Sequence, residues 1–236
     1  RMSEVFFQDL DLPVPDINLD VKSASHAVQT ANIMIRFEPV CLGEKPDWIL
    51  VVGDVNSTMA CTLVAAKLGI KVGHIEAGLR SFDRSMPEEI NRIVTDALAD
   101  LLFTPSEDAD ENLVREGVSI DRIKRVGNIM IDSLLTSLDK SRKRGTSDRF
   151  GLAKKKYALV TIHRPANTDD IVVLSRIVKI LQHLSRDIPV LFPVHPRTRK
   201  QIDAHGLGLQ ISKHQNLKLV EPLGYLDFIN VLENAQ

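Results

Sequence analysis

The sequence is poor in cysteine: Cys41 and Cys61 are the only two in 236 residues, and neither has a metal-ligand partner nearby in the chain. Buried thiols therefore fit better than a disulfide framework or a zinc site, and no metal is expected. An excess of charge of one sign is also lacking. A formal net charge of -1 provides no basic field, which sets nucleic acid aside as a partner and means that any phosphate must be held locally. No apolar run approaches a bilayer span, and the opening R-M-S-E-V-F-F-Q-D-L has no signal-peptide pattern; the expectation is a cytoplasmic protein with no membrane partner. Also absent is the buried strand and glycine-bearing turn with which a doubly wound domain opens, so a missing first strand is expected.

The composition that is present, 44% hydrophobic and 26% charged, suits two ordinary domains. A helix is expected over 3–10 and an amphipathic helix over 25–38, ended or kinked by Pro39. Trp48 to Val52 is an apolar run of strand type that stops at Gly53-Asp54. A helix over 58–68 and a strand over 71–75 follow, giving a right-handed crossover between parallel strands. Asp54 and Glu76 then both fall at carboxyl ends of neighbouring parallel strands, where open α/β sheets bind their ligands.

The rhythm continues with strands at 101–104 and 123–126, a helix capped by Ser106, and another over 129–138. The polar, net-positive run from Asp139 marks a linker, taken as 139–156, between a first domain of 1–138 and a second of 157–236. In the second, strands over 157–162 and 189–194 end in His163 and His195, with Arg164 and Arg197 one and two residues on. Two such histidines at equivalent sheet positions make a candidate anion site. A strand over 217–220 and a helix from Gly224 follow, and with only three strands visible the second domain reads as unfinished.

The densest chemistry lies in H-I-E-A-G-L-R-S-F-D-R-S-M-P-E-E-I-N-R, residues 74–92, which mixes Glu76, Asp83, Glu88 and Glu89 with Arg80, Arg84 and Arg92. Carboxylates can move a proton and guanidiniums can hold a phosphate. Pro87 and the two glutamates after it start a helix, with Ile90, Ile93, Val94, Ala97 and Leu101 recurring as its apolar stripe. Glu88 and Arg92, four residues apart, are expected side by side on the opposite face.

Seven blocks now add up: G-D-V-N-S-T at 53–58, H-I-E-A-G-L-R at 74–80, M-P-E-E-I-N-R at 86–92, V-G-N-I-M-I-D at 126–132, V-T-I-H-R-P-A-N at 160–167, P-V-H-P-R-T at 193–198 and E-P-L-G-Y at 221–225. Together they resemble the non-hydrolysing UDP-N-acetylglucosamine 2-epimerases over essentially the whole chain. The resemblance implies an α/β fold of two Rossmann-like domains with parallel sheets, GT-B-like, with the nucleotide sugar in the cleft between them. It also implies that an opening G-T-R-P-E-type turn and a later D-S-G-G-x-Q-E-E segment are missing here. Ala166 departs from the glutamate that many relatives carry.

The implied reaction interconverts UDP-N-acetylglucosamine and UDP-N-acetylmannosamine by eliminating and re-adding UDP, without cofactor or metal. By resemblance Asp54, Glu76 and Glu88 are the acid/base groups, Arg92 orients Glu88, and His163 stabilises the departing diphosphate. Arg80, Arg164 and His195 are expected to contact the nucleotide sugar or a second, activating copy of it, in a homodimer. The alternatives are an epimerase of a diacetamido-uronic sugar nucleotide, or a nucleotide-sugar-binding fragment without turnover. A hydrolysing 2-epimerase is disfavoured, because Glu76-Ala77-Gly78-Leu79-Arg80 is the non-hydrolysing pattern.

Overall fold

Parallel pairing organises both halves of the chain. The structure, a computed structural model, describes Leu10 and residues 12–236 except His163, and of Pro165 only the backbone. The helix expected over 3–10 lies outside the described residues, Leu10 apart. Two compact units are present, one of Pro15–Ser133 and one built on Leu134–Gln236.

The first unit has a four-stranded parallel sheet in the order β1 (Trp48–Val52), β2 (Lys71–Ile75), β3 (Leu101–Thr104) and β4 (Ile123–Arg125). The helices α1 (His26–Glu44), α2 (Asn56–Lys67), α3 (Pro87–Leu98) and α4 (Glu107–Arg115) alternate with the strands. Val51, Val72, Leu102 and Ile123 share one face of the sheet and form the core with Ala65 and Leu113 of the helices. Removing such side chains from water supplies the main drive for folding. The alternate residues Leu50 and Val52 point the other way and are exposed.

Of the two outcomes the sequence left open at Pro39, a kink or an end, the end does not occur: α1 runs on to Glu44, and Lys45, at φ 50°, closes it by donating its N–H to Cys41 O. A proline removes one hydrogen bond from the helix, and Cys41 in the following turn is buried. A larger correction concerns α3. Its buried residues are Glu89, Asn91, Thr95 and Asp96, whereas Ile90 and Leu98 are 47% and 39% exposed. The helix starts where Pro87 placed it, but its polar face is the one turned inward.

α5 (Ile129–Arg142) spans the division and leads into α6 (Thr146–Arg149). The second unit then alternates β5 (Ala158–Leu159), α7 (Pro165–Thr168), α8 (Ile171–Leu184), β6 (Val190–Pro193), α9 (Pro196–Ala204), α10 (Leu207–Ile211), β7 (Leu217–Val220) and α11 (Tyr225–Asn234). Its three strands are parallel in the order β5-β6-β7, around Leu174, Val178, Val190, Phe192 and Ile202. The strand expected over 157–162 shortens to two residues, although Val160 N still donates to Leu191 O at 2.9 Å.

The polar segment 139–156 is packed against α11. Ser141 Oγ donates to Leu226 O at 2.8 Å, Asn230 Nδ2 donates back to Ser141 O at 3.0 Å, and Arg142 pairs with Glu233 at 2.6 Å. Its polarity serves hydrogen bonds within the fold as well as solvation.

Candidate active site

The site is built at the carboxyl ends of β1 and β2. Val52 and Ile75 are register partners, and Gly53 N donates to Ile75 O at 3.0 Å, so the ladder continues one residue past β1 before the chain turns. Gly53 makes that turn at φ 67°, and a Cβ built on it would lie 3.7 Å from Glu76 Oε2. Asp54, the next residue, thus leaves the end of β1 as Glu76 leaves the end of the neighbouring β2. Glu76 itself sits at φ 75°, a region that costs a non-glycine residue about 1–2 kcal/mol. Two bonds hold it there, because the N–H groups of Glu76 and Ala77 both donate to Phe103 O at 3.0 Å. Such strain persists where the surroundings over-determine it, often at functional sites.

The turn after Glu76 allows no side chain at Gly78. At φ 82°, a Cβ there would lie 2.5 Å from Ala109 O of α4. The same glycine donates its N–H to Asp96 Oδ2 at 3.1 Å, which ties the turn to α3.

Asp96 is the centre of a buried polar cluster. His74 Nδ1 lies 2.6 Å from Asp96 Oδ1, and His74 Nε2 lies 2.8 Å from Gly53 O. Arg80 Nη1 meets Asp96 Oδ2 at 2.7 Å, and Arg80 Nε and Nη2 grip Glu116 at 2.8 and 2.6 Å. Arg80, expected to contact the nucleotide sugar, has a side chain only 1% exposed that joins Asp96 of α3 to Glu116 at the end of α4. Burial would lower its pKa; Glu116 and Asp96 more than reverse this and raise it above the usual arginine range.

Arg92 also departs from expectation. Its partners are Asp54 and Glu89, not Glu88: Nη1 donates to Asp54 Oδ2 at 2.5 Å, while Nε and Nη2 donate to Glu89 Oε2 at 3.0 and 2.6 Å. Helix neighbours lie three as well as four residues apart, and here the i,i+3 partner wins because Glu89 points inward with Arg92. Glu88 faces the other way. It is exposed, bonded to no described residue, and lines a cavity of about 290 Å³ with His26, Asn56, Ser57 and Asn91. Asn91 closes the set by donating to Asp54 O at 2.8 Å.

Glu89 also accepts the N–H groups of Ser81 and Phe82, each at 2.9 Å. Burial would raise its carboxyl, but the Ser81 N–H, Arg92 and the Phe82 N–H outweigh burial and hold it at about 2, against an ordinary 4.5. A carboxyl lowered in this way stabilises the fold fully above about pH 4.5, and the contribution is lost as pH falls toward 2. The linkage is worth on the order of 3 kcal/mol. Urea unfolding from pH 7 to pH 2.5 is expected to show a shallower acid loss in Glu89→Gln than in the wild type. Parallel curves would mean that the carboxylate is not held low.

The candidate residues of the second unit are placed separately. His163 lies outside the described residues. Arg164 is exposed, and its carbonyl accepts from Asn167 N at 2.9 Å. His195 is exposed and caps α9, its Nδ1 accepting from Arg197 N at 3.3 Å. The Arg197 guanidinium, suggested for an anion, is engaged by Asp169. Among the described residues no group of three or more His, Cys, Asp or Glu could hold a metal ion.

Residues 1–236 match the family model described as UDP-N-acetylglucosamine 2-epimerase. A Methanococcus maripaludis protein named UDP-N-acetylglucosamine 2-epimerase homolog is 46% identical over 238 residues, covering 100% of this chain and 66% of that protein. A Pseudomonas aeruginosa protein named UDP-2,3-diacetamido-2,3-dideoxy-D-glucuronate 2-epimerase is 43% identical over 239 residues, with 100% and 64% coverage. The solved structure of Methanocaldococcus jannaschii UDP-GlcNAc 2-epimerase in complex with UDP-GlcNAc and UDP is 41% identical and superposes with a TM-score of 0.83. It covers 98% of this chain and 65% of the other. The chain therefore spans slightly less than two thirds of the length of these relatives.

Proposed function

The chain belongs to the UDP-N-acetylglucosamine 2-epimerase family, and on that premise we propose that the protein interconverts UDP-N-acetylglucosamine and UDP-N-acetylmannosamine by eliminating and re-adding UDP. The observation that supports the reading is that Asp54 and Glu76 lie just past the ends of two neighbouring parallel strands, with Arg92 held against Asp54. A carboxylate removes the proton from carbon two, the electron pair forms the double bond to carbon one, and UDP leaves with the electrons of the carbon–oxygen bond. In the return step UDP adds at carbon one and an acid delivers a proton to the opposite face of carbon two. Asp54, Glu76 and Glu88 are the groups assigned to these proton transfers.

His163 is assigned to the departing diphosphate, and Arg164 and His195 to the nucleotide sugar, where cationic donors stabilise developing charge. The proposal extends to a homodimer in the cytoplasm and to a second UDP-sugar as activator. It also takes residues 1–138 and 157–236 as the two functional domains joined by 139–156. The Pseudomonas relative supports a second reading, in which the sugar is a diacetamido-uronate.

Full-length protein in deuterated water with UDP-N-acetylglucosamine decides the matter by proton NMR. Loss of the carbon-two signal together with appearance of the manno epimer is the expected result. Turnover of the diacetamido-uronate alone would transfer the assignment to the second reading, and binding without exchange of either sugar would overturn catalysis.

A further inference from the structure

Glu89 is buried at 1% exposure, beside two carboxylates to which the reaction is assigned, yet it faces away from the cavity that Glu88 lines. We propose that Glu89, itself held by two N–H groups of the β2–α3 loop, is the positioning residue for Asp54, acting through Arg92. The inference rests on the reading of Asp54 as a reacting carboxylate and adds to it a residue that never touches the sugar.

The geometry is a fork held at both ends. Arg92 offers Nε and Nη2 along one edge, and both go to Glu89 Oε2; only Nη1 is left, and it meets Asp54 Oδ2. A planar guanidinium pinned along one edge has its remaining N–H directed, so the Asp54 carboxylate is aimed by Glu89 at one remove. Without that edge the Arg92 side chain regains rotamer freedom, and the exposed Glu88, four residues before it, becomes an alternative partner.

The other Glu89 oxygen contacts the loop. Phe82 adopts φ 57°, an uncommon region for an aromatic residue, with its N–H on Glu89 Oε1 while Ser81 N–H goes to Oε2. The ring of Phe82 is 76% exposed, so side-chain packing does not hold this backbone. One buried carboxylate thus joins the loop that carries the 81–85 turn to the guanidinium that holds Asp54. A helix residue locked by four charge-assisted or backbone hydrogen bonds is a stiff mount for a reacting group.

The test uses the full-length protein and three variants, Glu89→Gln, Arg92→Gln and the double variant, assayed for carbon-two exchange with UDP-N-acetylglucosamine. Glutamine keeps an acceptor for the Phe82 N–H but puts its amide N–H₂ where Oε2 stood, facing Arg92 and the Ser81 N–H, so the aim is lost while the volume is kept. The expected result is a fall in kcat of about a hundredfold with KM within twofold of wild type, since misplacement of a reacting group by about an ångström costs that much. In the Arg92→Gln background Glu89→Gln is expected to cost less than threefold further, because the fork through which it acts is already gone.

A role in stability alone would instead lower the melting temperature and leave kcat per folded molecule unchanged, and that result overturns the proposal. So does a full hundredfold loss on top of Arg92→Gln. If Glu89→Gln does not fold, Glu89→Asp, which keeps the charge one methylene short, is read by the same criteria. A wild type that shows no exchange with either candidate sugar overturns the functional reading first. Exchange by the wild type with an unaltered kcat in Glu89→Gln overturns only the positioning.

Discussion

Glu88→Gln in the full-length protein is expected to lower turnover by about a hundredfold to ten-thousandfold, the range that positioned acid/base groups contribute. Its effect on stability should be within about 0.5 kcal/mol. The two numbers differ because of where the side chain sits. Glu88 follows Pro87 in the first turn of α3, is exposed, and bonds to no described residue. Nothing in the packing depends on its charge. Its neighbour Glu89 makes the opposite case, buried and bonded four times over. Carbon-two exchange and urea unfolding measured on the same preparation separate the effects, and a variant that keeps more than a tenth of the wild-type rate would remove Glu88 from the chemistry.

Asp96→Ala should have the reverse profile, a loss of roughly 3–5 kcal/mol in stability, the cost typical of deleting one partner of a buried ion pair. Asp96 is 1% exposed and serves three groups at once: His74, the Arg80 guanidinium and the Gly78 N–H. Alanine would leave the Arg80 side chain, itself 1% exposed, with Glu116 and the Leu79 carbonyl alone. It would also free the Gly78 turn and leave His74, which braces Gly53 O, without its second contact. Against a total stability of about 5–15 kcal/mol, such a loss threatens the folded state. Urea titration reads it directly. A loss below about 1 kcal/mol would show that solvent enters the cluster and shares its charges.

Side chains in opposite situations thus follow one another along one short helix. Glu88 lines the cavity, Arg92 pairs with both Glu89 and Asp54, and Asp96 one turn on holds the Gly78 N–H of the turn after β2. The fold that carries them, α/β with two parallel sheets and GT-B-like, is shared with solved epimerase structures.

The sequence by itself determined the strands β1, β2, β3 and β7 to the residue, the start of α3 at Pro87, and the placement of Asp54 and Glu76 at neighbouring strand ends. These are local properties. Short runs rich in valine, isoleucine and leucine between turn residues favour the strand, and proline's φ and missing N–H suit the first turn of a helix. Tertiary structure alone decided which face of α3 is buried, that Arg80 is enclosed, that Arg92 chooses Asp54 and Glu89, and that α1 passes through Pro39. Hydrophobic periodicity favoured Ile90 and Ala97 because it counts apolar side chains as inward by rule. A charged face goes inward when every charge finds a partner there, and the partners come from residues up to 38 positions away, as Asp54 does for Arg92. No spacing rule reaches that far; only the parallel register that sets β1 beside β2, with α3 packed on their ends, brings those groups together.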